Sequence, residues 1–212
     1  MLIAVGGLIG AGKSTLVNNL DGLRFFEPVE SNPYLALYYR EPNKYCFPMQ
    51  MHLLHERYRM IKSAYYQSLN GSTDAIMDRS IYEDYCFAHL GYKSGFMSDL
   101  EFQTYCKAHE DYCADLIPFP DLFIYLSCKI DGLLDHIKQR DRACEAGMMA
   151  NYLIALQQEY DAIMPRLKQK LPVVTIAVDN MDALQVMAAA QGAIAARKKE
   201  LSGVSPRYRG GW

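Results

Sequence analysis

The chain has 212 residues, enough for one domain with a sizeable core, and 50% of them are hydrophobic. Lys and Arg number 22 against 24 Asp and Glu, a formal charge of −2, which gives no reason to expect nucleic acid or an anionic membrane as partner. The longest apolar runs are far too short to cross a bilayer, and no signal-peptide pattern precedes the first strand, so a cytoplasmic protein is expected.

Taken in order, Leu2–Gly6 reads as a buried strand, and Leu16–Leu20 opens a helix. Arg24–Val29 is a second strand. Asn32-Pro33 opens a helix with Asn32 as its N-cap, and Pro42-Asn43 opens a longer one to about Leu69. Ala75–Asp78 is a third strand, followed at once by a capping box, Ser80-Ile-Tyr-Glu83. Helical pattern resumes from about Ser98 to Leu116, and Leu122–Ser127 is a fourth strand. Asp131 is expected to cap a helix reaching Arg140. Met148–Met164 is helical again, with Pro165 expected to kink or end it. Val173–Val178 is the fifth strand, and Asp179–Lys199 is a final amphipathic helix. This alternation predicts an α/β fold, a doubly wound five-stranded parallel sheet with helices on both faces. Residues 1–200 read as one domain, and 201–212 as a disordered tail.

The six cysteines show no C-x-x-C spacing and read as reduced, mostly buried thiols. His52 and His55 stand three apart on a helix, but without a third ligand nearby they read as packed or solvated histidines rather than a metal pair.

Between the first strand and the first helix lies Gly7-Leu-Ile-Gly10-Ala11-Gly12-Lys13-Ser14-Thr15, which fits G-x-x-x-x-G-K-[ST]. With strand before and helix after, this is a phosphate-binding loop rather than a chance glycine-rich turn. Glycines let backbone N–H groups curl around phosphate oxygens, and the helix points its positive end at the anion. Lys13 is expected to bridge the β- and γ-phosphates of a nucleoside triphosphate such as ATP, and Ser14 to ligate the accompanying Mg²⁺.

Ligands of open α/β sheets bind at the carboxyl ends of strands. The second strand ends at Glu27-Pro28 and the third at Asp78-Arg79-Ser80. Glu27 is a natural general base for an attacking hydroxyl, although a strand-end carboxylate can also cap a turn and Glu30 competes nearby. Asp78 is a second candidate Mg²⁺ ligand, opposite Ser14, and Arg79 a group to neutralise the transferring phosphoryl; the alternative for Asp-Arg is a surface ion pair. Gln50 and Arg57 lie seven apart, two helical turns, and so on nearly one face. A glutamine there can pair in two-point fashion with a nucleobase, with Arg57 meeting Asp84, but by themselves the two would read as a solvated helix face. Arg140-Asp-Arg142 precedes the hinge-like Ala143–Gly147 and suits a lid whose arginines clamp phosphates, or else a basic helix end.

In order and spacing these residues resemble the deoxynucleoside kinases. The resemblance runs from about Leu2 to Val178: the loop, Glu27-Pro28, Tyr39 eleven before Gln50, Arg57, Asp78-Arg79-Ser80, Asp84, and Arg140-x-Arg142-x-x-Glu145 with Tyr152 seven beyond. It implies the P-loop kinase fold with a short lid, ATP and Mg²⁺ as cofactors, and a deoxynucleoside as acceptor. It further implies that Glu27 activates the sugar 5′-hydroxyl with Arg79 on the same oxygen. Tyr39 and Glu145 are similar to the pair that reads the 3′-hydroxyl, Gln50 with Arg57 and Asp84 to the base-reading set, and Arg140 and Arg142 to phosphate-contacting lid arginines. The family is usually dimeric, so a homodimer is expected, and it is often inhibited by its deoxynucleoside triphosphate end product. Three departures from the eukaryotic members point to the bacterial-type branch or distinguish this lid: Asp78 in place of Glu, Glu30-Ser-Asn-Pro33 after the second strand, and His136 where a further lid arginine often stands.

The reading is therefore an ATP-dependent deoxynucleoside 5′-kinase of nucleotide salvage, with deoxyadenosine first and deoxyguanosine second, deoxycytidine left open because Gln50, Arg57 and Asp84 can serve it too, and thymidine last. Its rivals are a thymidylate-kinase-like enzyme, which needs more positive charge around its acceptor, and a nucleotide-triggered switch, for which no Asn-Lys-x-Asp motif is found.

Overall fold

Six apolar or glycine residues, Leu2–Gly7, form strand β1, and all six are buried because β1 sits at the centre of the sheet. The structure, a computed structural model, describes residues 1–27, 32–70, 73–116, 119–133 and 150–202. The strands β2 (Leu23–Phe25), β3 (Ala75–Asp78), β4 (Leu122–Ser127) and β5 (Val173–Ala177) complete one parallel sheet in the order β2-β3-β1-β4-β5. The helices are α1 (Lys13–Asn19), α2 (Leu35–Arg40), α3 (Pro42–Asn70), α4 (Asp84–Lys93), α5 (Asp99–Asp111), α6 (Ala150–Lys170) and α7 (Ala183–Leu201). Helices α1 and α7 pack on each other and against the strands, while α3 lies along β1, β2 and β3 and carries α4 and α5. Helix α4 in turn packs on α6.

The expected α/β architecture holds, with local differences that have physical causes. β2 stops at Phe25 and is largely exposed, because it is an edge strand paired only with β3. Asn32 is not the cap of α2; its Oδ1 accepts from the N–H of Tyr34 at 2.9 Å, a local side-chain turn that sets up the helix one step later. Helix α6 continues five residues past Pro165. Pro165 lies on the solvent side, where the freed carbonyl meets water, while buried Met164 and Leu167 hold the last turns to the core. The last helix begins at Ala183 rather than Asp179, because Asp182 and Gln185 form a reciprocal capping box. Asp179 instead accepts from the backbone N–H of Lys129. Residues 130–133 are helical, so Asp131 lies inside that first turn rather than capping it. The final helix reaches Leu201, one residue into the expected tail; residues 203–212 lie outside the described set. No described helix is long and apolar enough to cross a membrane.

Candidate active site

The loop after β1 is shaped by two glycines for different reasons. At Gly7, φ is +136° and a Cβ would come 2.5 Å from the carbonyl oxygen of Leu126, so both conformation and space demand glycine. At Gly12 nothing lies within 4 Å, and the requirement is the left-handed φ of +85° alone, at the cap of α1. Lys13 is buried and its Nζ donates to the carbonyl of Leu8 at 2.6 Å across the loop. The β1–β3 register sets Val5 beside Asp78, which brings the Asp78 carboxylate to the start of α1, where the Ser14 hydroxyl donates to its Oδ2.

Beside the loop lies a buried cluster of charge. Glu27, two residues beyond β2, accepts from Arg57 Nη2 at 2.6 Å and faces Arg79 Nε at 3.2 Å. Arg57 also donates through Nη1 to Asp84 at the start of α4. Arg79 occupies a left-handed conformation, φ 75°, rare for a residue with a side chain; the turn it makes directly after β3 swings its guanidinium back over the loop. Burial raises the Glu27 carboxyl, but Arg57, Arg79 and Lys13 outweigh it and hold it below the ordinary carboxylate value. Asp84 goes the other way: burial, reinforced by the Glu27 and Glu83 carboxylates, overcomes Arg57 and pushes it up to about 8.

Gln50 and Arg57 are each only 3% exposed, which removes the solvated-face alternative. Asp78 and Arg79 are buried too, and Arg79 pairs with Glu27 and Glu83 rather than forming a surface pair with Asp78. Three polar atoms of this region, Gln50 Oε1, Arg57 Nε and Asp84 Oδ2, are buried without a partner among the described residues. Buried polar groups are costly unless satisfied, so a set of donors and acceptors on one helix face and its neighbour has the chemistry to meet a polar ligand edge. Tyr39 is 40% exposed on α2, its ring 5.6 Å from that of Tyr38. Pro28, Glu30, His136, Arg140, Arg142, Cys144 and Glu145, and so the whole expected lid, lie outside the described residues. No disulfide forms among the five described cysteines, and no group of three metal-ligating side chains occurs among the described residues.

Two residues at the site escaped the sequence reading. Glu83 was legible as the end of a capping box, which the structure forms, but it is 0% exposed and its second oxygen reaches the loop at Gly7 N, 3.0 Å away. Tyr160, on α6, donates to that same oxygen at 2.7 Å and stands 3.3 Å from Arg79 Nη1. The run Asp78–Asp84 was the available signal for Glu83; for Tyr160, one of 16 tyrosines, there was none.

The sequence profile of the deoxynucleoside kinases matches residues 3–201. This chain belongs to the deoxynucleoside kinase family. As a member, the kinase is an ATP-dependent enzyme acting on a deoxynucleoside, which sets aside both the thymidylate-kinase-like and the switch readings. It is 35% identical to a deoxyadenosine kinase of Dictyostelium discoideum over 178 residues, 82% of the kinase and 71% of that relative. It is 30% identical to a deoxyadenosine/deoxycytidine kinase of Bacillus subtilis over 189 residues, covering 86% and 85% of the two chains. The fold matches the structure of a deoxyadenosine kinase from M. mycoides with products dCMP and dCDP bound, with a TM-score of 0.80 at 27% identity, over 92% of the kinase and 100% of that chain.

Proposed function

We propose that the kinase transfers the γ-phosphate of ATP to the 5′-hydroxyl of a purine deoxynucleoside, deoxyadenosine before deoxyguanosine, in nucleotide salvage. The observation that carries the base preference is the partnerless trio Gln50 Oε1, Arg57 Nε and Asp84 Oδ2. An amide can pair in two-point fashion with the edge of adenine, and a carboxyl beside it suits an exocyclic or ring nitrogen. Relatives named as deoxyadenosine and deoxyguanosine kinases support the same choice.

In this reading Glu27 accepts the proton of the 5′-hydroxyl while Arg57 and Arg79 hold its carboxylate in place. Arg79 neutralises the phosphoryl group in transit, and Lys13 exchanges the Leu8 carbonyl for phosphate oxygens. The loop from Gly7 through Gly10, Ala11 and Gly12 to Thr15 supplies backbone donors. The adjacent Ser14 hydroxyl and Asp78 carboxylate are hard oxygen donors and fit Mg²⁺, which would share them with the phosphates and spread the developing charge. Tyr39 and Glu145 are assigned to the 3′-hydroxyl, and Arg140 and Arg142 to the phosphates, on the resemblance alone. The resemblance likewise implies a homodimer, which sedimentation velocity reads directly.

The test is a transfer panel. Purified protein, Mg²⁺ and γ-labelled ATP are offered the four deoxynucleosides, their ribose counterparts and thymidine monophosphate. Deoxyadenosine as the fastest acceptor supports the proposal. Deoxycytidine or thymidine ahead of both purines refutes the base preference, and label on the monophosphate alone refutes the acceptor.

A further inference from the structure

We propose that Glu83 and Tyr160 form a positioning pair for phosphoryl transfer, fixing the fork of Arg79 and the first peptide of the phosphate loop without touching the reacting atoms. The inference rests on the roles of Arg79 and the loop proposed above.

The capping box needs only one Glu83 oxygen, Oε1, which accepts from Ser80 N at 3.3 Å. The other oxygen, Oε2, accepts from Gly7 N at 3.0 Å and from the Tyr160 hydroxyl at 2.7 Å. One fully buried carboxylate thus ties together the end of β1, the turn after β3 and helix α6. A Cβ on Gly6 would collide first with the Phe123 ring, 2.3 Å from its Cζ, and would also come 2.8 Å from Oε2.

The same pair holds Arg79. A phenol has one proton, and Tyr160 gives it to Glu83, which leaves its oxygen to accept from Arg79 Nη1 at 3.3 Å. Nη1 also donates to the carbonyl of Gly7 at 3.3 Å and faces Glu83 Oε1 at 3.6 Å. Nε faces Glu27, and Cζ lies 4.9 Å over the ring of Phe87. The hydrogen bonds that Arg79 makes to described residues all leave from Nη1, none from Nη2. The guanidinium is therefore clamped on Nε and Nη1, with one amino group left for chemistry. Burial and the Glu83 carboxylate push the Tyr160 phenol well above its ordinary value, so it stays a donor at all working pH. Loss of the Tyr160 hydroxyl loosens a fork on which transition-state charge depends, and such misplacement lowers turnover more than affinity.

The experiment compares Tyr160→Phe, Glu83→Gln and the double variant with wild type. Four quantities are measured: kcat, the KM of each substrate, the calorimetric Kd of a non-hydrolysable ATP analogue, and the melting temperature. Tyr160→Phe keeps the ring between Phe87 and Tyr125, so analogue binding should barely move, while melting falls only by the roughly 2–10 °C that loss of one charge-assisted hydrogen bond implies. Its kcat should fall on the order of tenfold, with each KM within about twofold. The double variant should be no slower than Glu83→Gln alone, because the two act as one unit. Wild-type kcat in Tyr160→Phe, a loss confined to KM, or losses that multiply in the double variant would each overturn the inference. If Glu83→Gln does not fold, Tyr160→Phe decides alone. A wild type that binds the analogue but phosphorylates no nucleoside overturns the functional proposal and this inference with it; a competent wild type matched by Tyr160→Phe overturns the inference only.

Discussion

Glu27→Gln is the most informative single change, because structure and chemistry predict two separable effects. The amide keeps the size of the side chain but can no longer accept a proton or balance two cations. Stranding a buried charge costs about 3–5 kcal/mol. Here neither cation is left without a partner: Arg57 keeps its bond to Asp84, whose carboxyl is freed of the Glu27 charge that helped raise it, and Arg79 keeps Glu83 at 3.6 Å. The expected loss is that of a charge-assisted hydrogen bond, about 1–3 kcal/mol, or a melting shift of roughly 2–10 °C for a chain of this size. Turnover should fall much further, on the order of 10²–10⁴, with nucleoside binding changed only modestly. The pH dependence has a definite sign. The folded carboxyl sits below its ordinary value of 4.5, so it stabilises the fold fully above that pH and loses this as pH falls through the lower folded value. The melting gap between wild type and variant should close below about pH 4.5, well under the range near 8 in which Asp84 titrates. Labelled transfer and thermal melts taken into acid check both effects. Near-normal turnover in the variant would remove Glu27 from the role of base, and a melting gap that widens in acid would refute the electrostatic account.

Three further outcomes are expected. Asp84→Asn should reorder the acceptors in the transfer panel, and because burial pushes Asp84 up to about 8, the wild-type ranking should change between about pH 6 and about pH 9 while the variant's stays fixed; an unchanged ranking breaks the specificity argument. Ser14→Ala and Asp78→Asn should each raise the Mg²⁺ concentration for half-maximal rate by about tenfold, read by metal titration at fixed ATP, if the neighbouring oxygens hold the ion. Gly12→Ala meets only left-handed strain, about 1–2 kcal/mol, whereas Gly7→Ala adds a collision with the Leu126 carbonyl, so thermal melts should rank Gly7→Ala as clearly the more damaging.

The sheet was readable because four of its strands are short apolar runs between helical stretches, and the loop because its glycines, lysine and serine keep a spacing that phosphate geometry demands. The β3 exit was readable through Asp78 and Arg79, and their partner across the loop through Ser14. Errors fell where local signals compete. Asp179 and Asp182 both look like caps, and only the pairing with Gln185 chose between them. Pro165 looks like a stop, yet its exposed face let buried neighbours carry the helix onward. Gln50 and Arg57 share spacing with any polar helix face; their burial depends on α3 lying against the sheet and α4, a tertiary fact with no local mark. Tyr160 is the same case at greater distance, 77 residues from the Glu83 it serves.

Arg57 binds Glu27 with one amino group and Asp84 with the other. On the functions proposed above, a single guanidinium spans the acid that activates the sugar and the acid that senses the base. Choice of nucleoside and speed of transfer are then not independent traits. Any substitution that retargets the base through Arg57 or Asp84 also alters the charge felt by Glu27, and some catalytic rate goes with it. Gln50 sits two turns away on α3 and shares no ion pair with Glu27, so lineages or laboratories that broaden the acceptor range at low cost should find their first viable steps there.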